Sequence, residues 1–171
     1  MKREDFILPI HAEERKRTKK NTESTFSNFQ INDDIVNLGY GKKYFIHTYG
    51  CQANVRDGEA LAGMMEMMGY TSTNVPDDAD VLFFNTCAIR KAAEDRVLSD
   101  VNKLRYLKEQ RPTTVFCICG CMAQEEETVK QILSVSPHVD LIFGTHNIHR
   151  MPNLLAEVIE SNERKVEVFS Q

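Results

Sequence analysis

The sequence predicts an α/β fold: an open, doubly wound, mainly parallel sheet that is flanked by helices. From Lys42 onward, short runs rich in β-branched and aromatic residues alternate with longer helical segments, as is typical of parallel strands joined by crossover helices. Pro112 and Pro137 follow two of the helical segments, where helix-breaking residues are expected. With 171 residues, of which 42% are hydrophobic, the chain can bury one core of ordinary size.

Residues 1–41 are predicted to form a mobile polar extension, because charged clusters dominate and apolar periodicity is weak. Within it, Ile31–Leu38 can form a short helix. The first twenty residues hold seven Lys or Arg against four Asp or Glu. That balance fits either a solvated tail or an arm that weakly steers RNA. The domain proper is expected to cover residues 42–171.

Strands and helices are predicted in alternation along this domain. The strands are expected at Tyr44–Tyr49, Tyr70–Val75, Val81–Asn85, Thr113–Cys119, Leu141–Phe143 and Val166–Phe169. The helical segments are expected near Val55–Met68, Ala88–Lys108, Ala123–Ser134 and Met151–Glu160. This order indicates a flavodoxin-like or Rossmann-like arrangement, in which ligands bind outside the carboxyl ends of the strands.

Composition narrows the function classes. A net charge of −4 does not indicate a general nucleic-acid binder, so any RNA contact is expected to be local or shared with a partner. No apolar run is long enough to span a membrane, and the polar N-terminus lacks the apolar stretch of a signal peptide, so a cytoplasmic location is expected. Five cysteines without a secretory signal favour metal binding, catalysis or burial over a disulfide framework.

Three of the cysteines occupy equivalent positions. Cys51, Cys87 and Cys121 each close a predicted strand and precede a helix, so they are expected to meet at one edge of the sheet. Gly50 and Gly120, directly before two of them, permit sharp turns and close backbone approach. Soft thiolates bind iron–sulfur clusters, zinc or monovalent copper. The spacing alone leaves three interpretations open: a metal or cluster site, buried structural cysteines, and thiol redox or nucleophilic chemistry.

The residues near these cysteines have less specific interpretations. Asn54 and Asn85 can donate hydrogen bonds to a cluster or cap the following helices. Arg90 can contact an anion or simply be solvent-exposed. Cys117 and Cys119 lie inside the apolar run of a predicted strand and are expected to pack in the core.

Four ordered segments carry a resemblance to a known family. They are T-Y-G-C-Q-A-N, F-N-T-C-A-I-R, G-C-M-A-Q and G-T-H-N-I-H-R, at residues 48–54, 84–90, 120–124 and 144–150. Together they closely resemble the N-terminal domain of the methylthiotransferases, over about residues 42–169. They are most similar to the branch that converts N6-isopentenyladenosine in tRNA to its 2-methylthio form.

This resemblance implies a radical enzyme with two [4Fe–4S] clusters. Cys51, Cys87 and Cys121 match the ligands of the auxiliary cluster, with one iron left open for sulfur. The second cluster and S-adenosylmethionine would lie on a radical domain, where a 5′-deoxyadenosyl radical activates C2 of the adenine. The implied partners are tRNA, the remaining domains of the same polypeptide and, for loading, a sulfur donor or cluster-assembly proteins; no membrane partner is expected.

One departure from the family concerns what the sequence lacks. It has no C-x-x-x-C-x-x-C motif of the radical domain and no C-terminal RNA-binding module. The chain is therefore expected to be part of a longer enzyme and to be inactive alone. The alternatives are a sister branch acting on threonylcarbamoyladenosine in tRNA, a zinc or thiol module without radical chemistry, and an interaction domain whose cysteines only pack.

Overall fold

A six-stranded parallel sheet lies at the centre of the computed structural model, which describes residues 33–50, 52–87 and 91–168. In spatial order the strands run β2-β1-β3-β4-β5-β6, and all five neighbouring pairs are parallel. The predicted open α/β architecture is confirmed. The strands span, in chain order, β1 Lys43–Thr48, β2 Thr71–Ser72, β3 Val81–Thr86, β4 Val115–Gly120, β5 Leu141–Phe143 and β6 Lys165–Glu167.

The two central strands are buried along their whole length. Every residue of β3 and of β4 is buried, and both strands read as nearly continuous apolar runs. Strands of a parallel sheet that is covered on both faces have this pattern, because neither face meets water. The sheet therefore supports a rigid carboxyl edge at the ends of β3 and β4.

Helices cover both faces of the sheet. The described helices are α1 Asp33–Val36, α2 Gln52–Met67, α3 Lys91–Lys103, α4 Arg105–Gln110, α5 Glu126–Val135 and α6 Met151–Ser161. Helices α1, α2 and α6 pack on one face, and α3, α4 and α5 pack on the other, so each face has its own hydrophobic cluster. None of the helices in the described ranges is both long and apolar enough to cross a membrane.

The last helical crossover differs in hand from the one before it. The connections β4-α5-β5 and β5-α6-β6 both move toward the same edge of the sheet, yet α5 and α6 lie on opposite faces. The two connections therefore have opposite hands, although parallel crossovers are nearly always right-handed. This places α6 beside α2, on the face opposite α3.

Two elements are shorter than the sequence predicts. The expected strand Tyr70–Val75 is reduced to the two residues of β2, because the Thr73 hydroxyl accepts a bond from the Val75 amide and the chain then turns at Pro76–Asp78. The expected helix Ala88–Lys108 is divided at Leu104 into α3 and α4. The break allows Leu107 to pack in the core at 1% exposure.

Other boundaries shift by a few residues. The segment after Cys121 first forms a 3-10 turn, Cys121–Gln124, and α5 begins only at Glu126. Helix α1 confirms a short helix within Ile31–Leu38, and its Ile35 is buried against the core although it lies in the predicted polar extension. Residues 1–32 lie outside the described ranges, so a mobile extension there stays a prediction.

Candidate metal centre

The strand register brings two of the three predicted cysteines to the same edge. Thr86 of β3 pairs with Gly120 of β4. Cys87 directly follows Thr86 in the sequence, and Cys121 directly follows Gly120. On the other side of β3, Thr48 pairs with Asn85, and the Tyr49 amide continues the ladder by donating to the Asn85 carbonyl at 2.8 Å. The ends of β1, β3 and β4 therefore form one continuous edge.

Two glycines allow the backbone to approach closely at this edge. Gly50 has φ +94°, and a Cβ on it would lie 2.6 Å from Cβ of Cys87. Gly120 has φ +103°, and a Cβ on it would lie 2.1 Å from the carbonyl oxygen of Thr86. Residues other than glycine rarely adopt such a φ, and neither site has room for a side chain. The close approach predicted from the sequence is present at both positions.

The two described edge cysteines differ in exposure. Cys87 is half-buried beneath Gly50, whereas Cys121 is exposed at the start of its 3-10 turn. The hydroxyl of Thr145 lies 3.9 Å from Sγ of Cys121, within hydrogen-bonding distance for sulfur. Thr145 follows β5, whose carboxyl end lies at the same edge. The sequence could have indicated this contact, because the segment 144–150 also follows a predicted strand.

Two predicted site residues lie outside the described ranges. These are Cys51, which follows Gly50 in the chain, and Arg90, which precedes α3. Among the residues that the structure does describe, no group of three or more His, Cys, Asp or Glu side chains could hold a metal ion. A three-cysteine site thus requires Cys51 in addition to Cys87 and Cys121.

Asn54 and Asn85 are both buried, and their amides bond to the backbone. Nδ2 of Asn85 donates to the carbonyl of Asn54 at 2.6 Å, and Nδ2 of Asn54 donates to the carbonyl of Tyr49 at 3.0 Å. Sγ of Cys119 lies 3.9 Å from Oδ1 of Asn85. These contacts link the start of α2 with the ends of β1 and β3.

The two remaining cysteines lie inside β4, as predicted. Cys117 and Cys119 are both 0% exposed, and each belongs to the hydrophobic cluster under α2 and α6. Burial raises the pKa of both thiols above the ordinary range. Protonated, enclosed thiols of this kind are inert packing groups, since the thiolate is the metal ligand and the nucleophile.

A cleft of about 560 Å³ opens beside Cys87, between the end of β1 and the first turns of α3. This is the point where the strand order reverses, between β1 and β3. The ring of Tyr49 lies 4.2 Å from that of His47, and its hydroxyl donates to Asp100 at 2.7 Å. Burial lowers the pKa of His47, which favours its neutral form. The side chain of Arg96, which is positively charged, also lines the cleft.

The edge fits a thiolate-bound centre by its donor chemistry. Cys87 and Cys121 supply two sulfur donors that directly follow neighbouring paired strands, and the glycines beside them let the backbone pack closely at this edge. Cys51 lies next to Gly50 in the chain, and Gly50 is packed against Cys87. Thiolate donors of this kind are suited to an iron–sulfur cluster or to zinc.

Comparison with known proteins gives consistent matches. The chain is 46% identical over 166 residues to the tRNA-2-methylthio-N(6)-dimethylallyladenosine synthase of Bacillus pumilus, covering 97% of this chain and 32% of that protein. It is 44% identical over 168 residues to the protein of the same name from Bacillus subtilis, covering 98% of this chain and 33% of that protein. The chain thus spans about a third of the length of the curated relatives it matches.

The family profile covers the part of the chain that contains the candidate centre. Residues 43–144 match the profile described as "Uncharacterized protein family UPF0004", from the first residue of β1 to the residue after β5. The matched region contains Cys51, Cys87 and Cys121, and the names of the relatives agree with the resemblance found in the sequence. The chain belongs to the uncharacterized protein family UPF0004.

Proposed function

We propose that this chain is the auxiliary-cluster domain of a tRNA methylthiotransferase that acts on N6-isopentenyladenosine. Cys51, Cys87 and Cys121 are its three cluster ligands. The observation that carries the proposal is the pairing of Thr86 with Gly120, the residues directly before Cys87 and Cys121, together with the packing of Gly50, the residue before Cys51, on Cys87. Support for the substrate comes from the relatives, whose names specify 2-methylthio-N(6)-dimethylallyladenosine in tRNA.

The protein's own contribution is to hold three thiolates in place on rigid strand ends. β3 and β4 are buried along their length, so Cys87 and Cys121 extend from fixed positions. A cluster held by three cysteines has one iron without a protein thiolate, and that iron would carry the sulfur to be transferred. The hydroxyl of Thr145 lies within hydrogen-bonding distance of Sγ of Cys121 and can help to orient that side chain.

The radical half of the reaction belongs to other domains in this proposal. The described residues contain no group of three or more His, Cys, Asp or Glu side chains that could hold a second metal centre, and the sequence lacks C-x-x-x-C-x-x-C. The second [4Fe–4S] cluster and S-adenosylmethionine would therefore bind elsewhere in a longer polypeptide. On this account the chain alone binds a cluster but does not modify tRNA.

Anaerobic reconstitution tests the proposed cofactor. The chain is incubated with iron and sulfide, and bound iron, sulfide and zinc are counted after removal of excess reagent. Binding of about four irons and four sulfides per chain supports the proposal. Stoichiometric zinc without sulfide would favour a zinc module, and a chain indifferent to both metals would favour cysteines that only pack.

A modification assay tests the proposed substrate. The full-length protein containing this chain is incubated with S-adenosylmethionine and tRNA carrying either N6-isopentenyladenosine or threonylcarbamoyladenosine. Formation of the 2-methylthio product on the isopentenylated tRNA alone is expected. Product on the threonylcarbamoylated tRNA alone would assign the protein to the sister branch.

A further inference from the structure

Three hydrogen bonds join Tyr49, Asn85 and Asn54 in a closed ring. The Tyr49 amide donates to the Asn85 carbonyl at 2.8 Å, and Nδ2 of Asn85 donates to the Asn54 carbonyl at 2.6 Å. Nδ2 of Asn54 then donates back to the Tyr49 carbonyl at 3.0 Å. We call this set of three residues the amide ring. It joins the end of β1, the first turn of α2 and the end of β3.

The three residues of the ring are close to two predicted ligands in the sequence. Tyr49 and Asn54 lie two and three residues from Cys51 in the chain, and Asn85 lies two residues before Cys87. Gly50, inside the looped segment, packs on Cβ of Cys87. A movement of Tyr49 or Asn54 away from β3 would therefore break at least one bond of the ring.

The two asparagines of the ring are buried, so their hydrogen bonds are not exchanged for bonds to water. Asn85 is 0% exposed and Asn54 is 2% exposed, so a lost partner is not replaced by bulk water. Fully bonded polar networks in a protein interior favour one arrangement over its alternatives. Two buried asparagines that bond to main-chain carbonyls thus fix backbone positions.

We propose that Asn54 and Asn85 are positioning residues that set the spacing of Cys51 and Cys87 before any metal binds. The inference deepens the proposed function and rests on the assignment of those cysteines as ligands. This role is additional to the two considered for the sequence, and it rests on the donation of both side-chain amides to main-chain carbonyls.

Isosteric variants remove the donors of the ring. Asn85→Asp and Asn54→Asp each replace an NH2 group with an oxygen that faces a carbonyl. Asn85→Leu removes the same donor without adding charge, in case the aspartate prevents folding. The matched control is Asn147→Asp, because Asn147 is 1% exposed and its Nδ2 also donates to a backbone carbonyl, that of Glu167, at 3.1 Å.

The spacing is measured on metal-free, reduced protein that carries Cys121→Ser. Dibromobimane, which fluoresces when it joins two nearby thiols, is compared with monobromobimane, which labels single thiols. We expect the ratio of cross-linking rate to labelling rate to fall roughly tenfold in the Asn85 and Asn54 variants. The ratio should stay within about twofold in Asn147→Asp, where the ring is intact.

Unchanged ratios in Asn85→Leu and Asn54→Asp, with circular dichroism like that of the parent, would overturn the inference. Its failure is separable from failure of the proposed function, because the cross-linking needs no metal. If the parent chain binds no cluster but the ratios fall, the proposed function fails and the positioning role stands. If the parent chain binds a cluster and the ratios do not change, only the positioning role fails.

Discussion

Strand β4 carries cysteines in two settings that differ by only a few residues. Cys117 and Cys119 lie within the strand, are fully enclosed and have pKa values raised by burial. Cys121 lies just past the end of the strand and is exposed. The difference shows that the position of a cysteine relative to the strand end decides its chemistry, because only beyond the last ladder bond does the side chain reach the carboxyl edge.

The largest expected difference concerns thiol reactivity. Cys121 should react with iodoacetamide in the native protein, whereas Cys117 and Cys119 should react only when the fold opens. We expect the rates to differ by more than about a thousandfold, since exposure of a core thiol requires near-global unfolding. Mass spectrometry of peptides from timed reactions measures each rate. Comparable rates at the three positions would show that β4 is not enclosed.

The residue that separates the two settings is Gly120. We expect Gly120→Ala to lower the free energy of unfolding by about 3 kcal/mol or more, because the new Cβ would overlap the Thr86 carbonyl and the φ of +103° is strained. Gly41→Ala is the matched control, since Gly41 also has positive φ, +78°, but has no atom within 4 Å of the added Cβ. That control should cost about 1 kcal/mol. Urea unfolding measures both, and equal losses would contradict the close approach at Gly120.

A smaller effect is expected from serine substitution. Cys117→Ser places a hydroxyl in the apolar cluster and should cost about 2 kcal/mol of unfolding free energy. Cys121→Ser changes an exposed side chain and should alter it by less than about 0.5 kcal/mol. Denaturant unfolding of the metal-free proteins compares the two. A larger loss of unfolding free energy in Cys121→Ser than in Cys117→Ser would contradict the assignment of Cys117 to the interior and of Cys121 to the exposed edge.

The smallest effect for a single group is a dependence of stability on alkaline pH. Burial raises the pKa values of Cys117 and Cys119, so above pH of about 8.5 these thiols ionise in the unfolded chain before they do so in the folded one. The unfolded state then binds fewer protons, and stability falls as pH rises. Between pH 8 and 9.5 the loss should be about 1 kcal/mol per thiol.

The double variant Cys117→Ala/Cys119→Ala provides the control for this pH effect. Without the two interior thiols, the unfolding free energy should depend less on pH over the same interval. Urea midpoints and slopes at four pH values give the comparison. An equal decline in the parent and the double variant would show that other groups cause it.

The sequence was sufficient to predict the parallel sheet and the cysteines that follow the carboxyl ends of its strands. Alternation of apolar runs with helical segments predicted all six strands, and the structure pairs the strand ends that directly precede Cys87 and Cys121. The break between α3 and α4 at Leu104 and the face of the sheet on which α6 packs both depend on tertiary contacts. Local sequence patterns therefore did not predict them. The amide ring also escaped prediction, because asparagine near a helix start equally suits a cap.

The central claim is that the edge cysteines hold the cluster and the interior cysteines do not. Its most direct test is the iron and sulfide content of five single variants after anaerobic reconstitution. Cys51→Ser, Cys87→Ser and Cys121→Ser should each lose the cluster, whereas Cys117→Ala and Cys119→Ala should retain about four irons and four sulfides. Full cluster content in any edge variant, or its loss in a folded interior variant, would contradict the account.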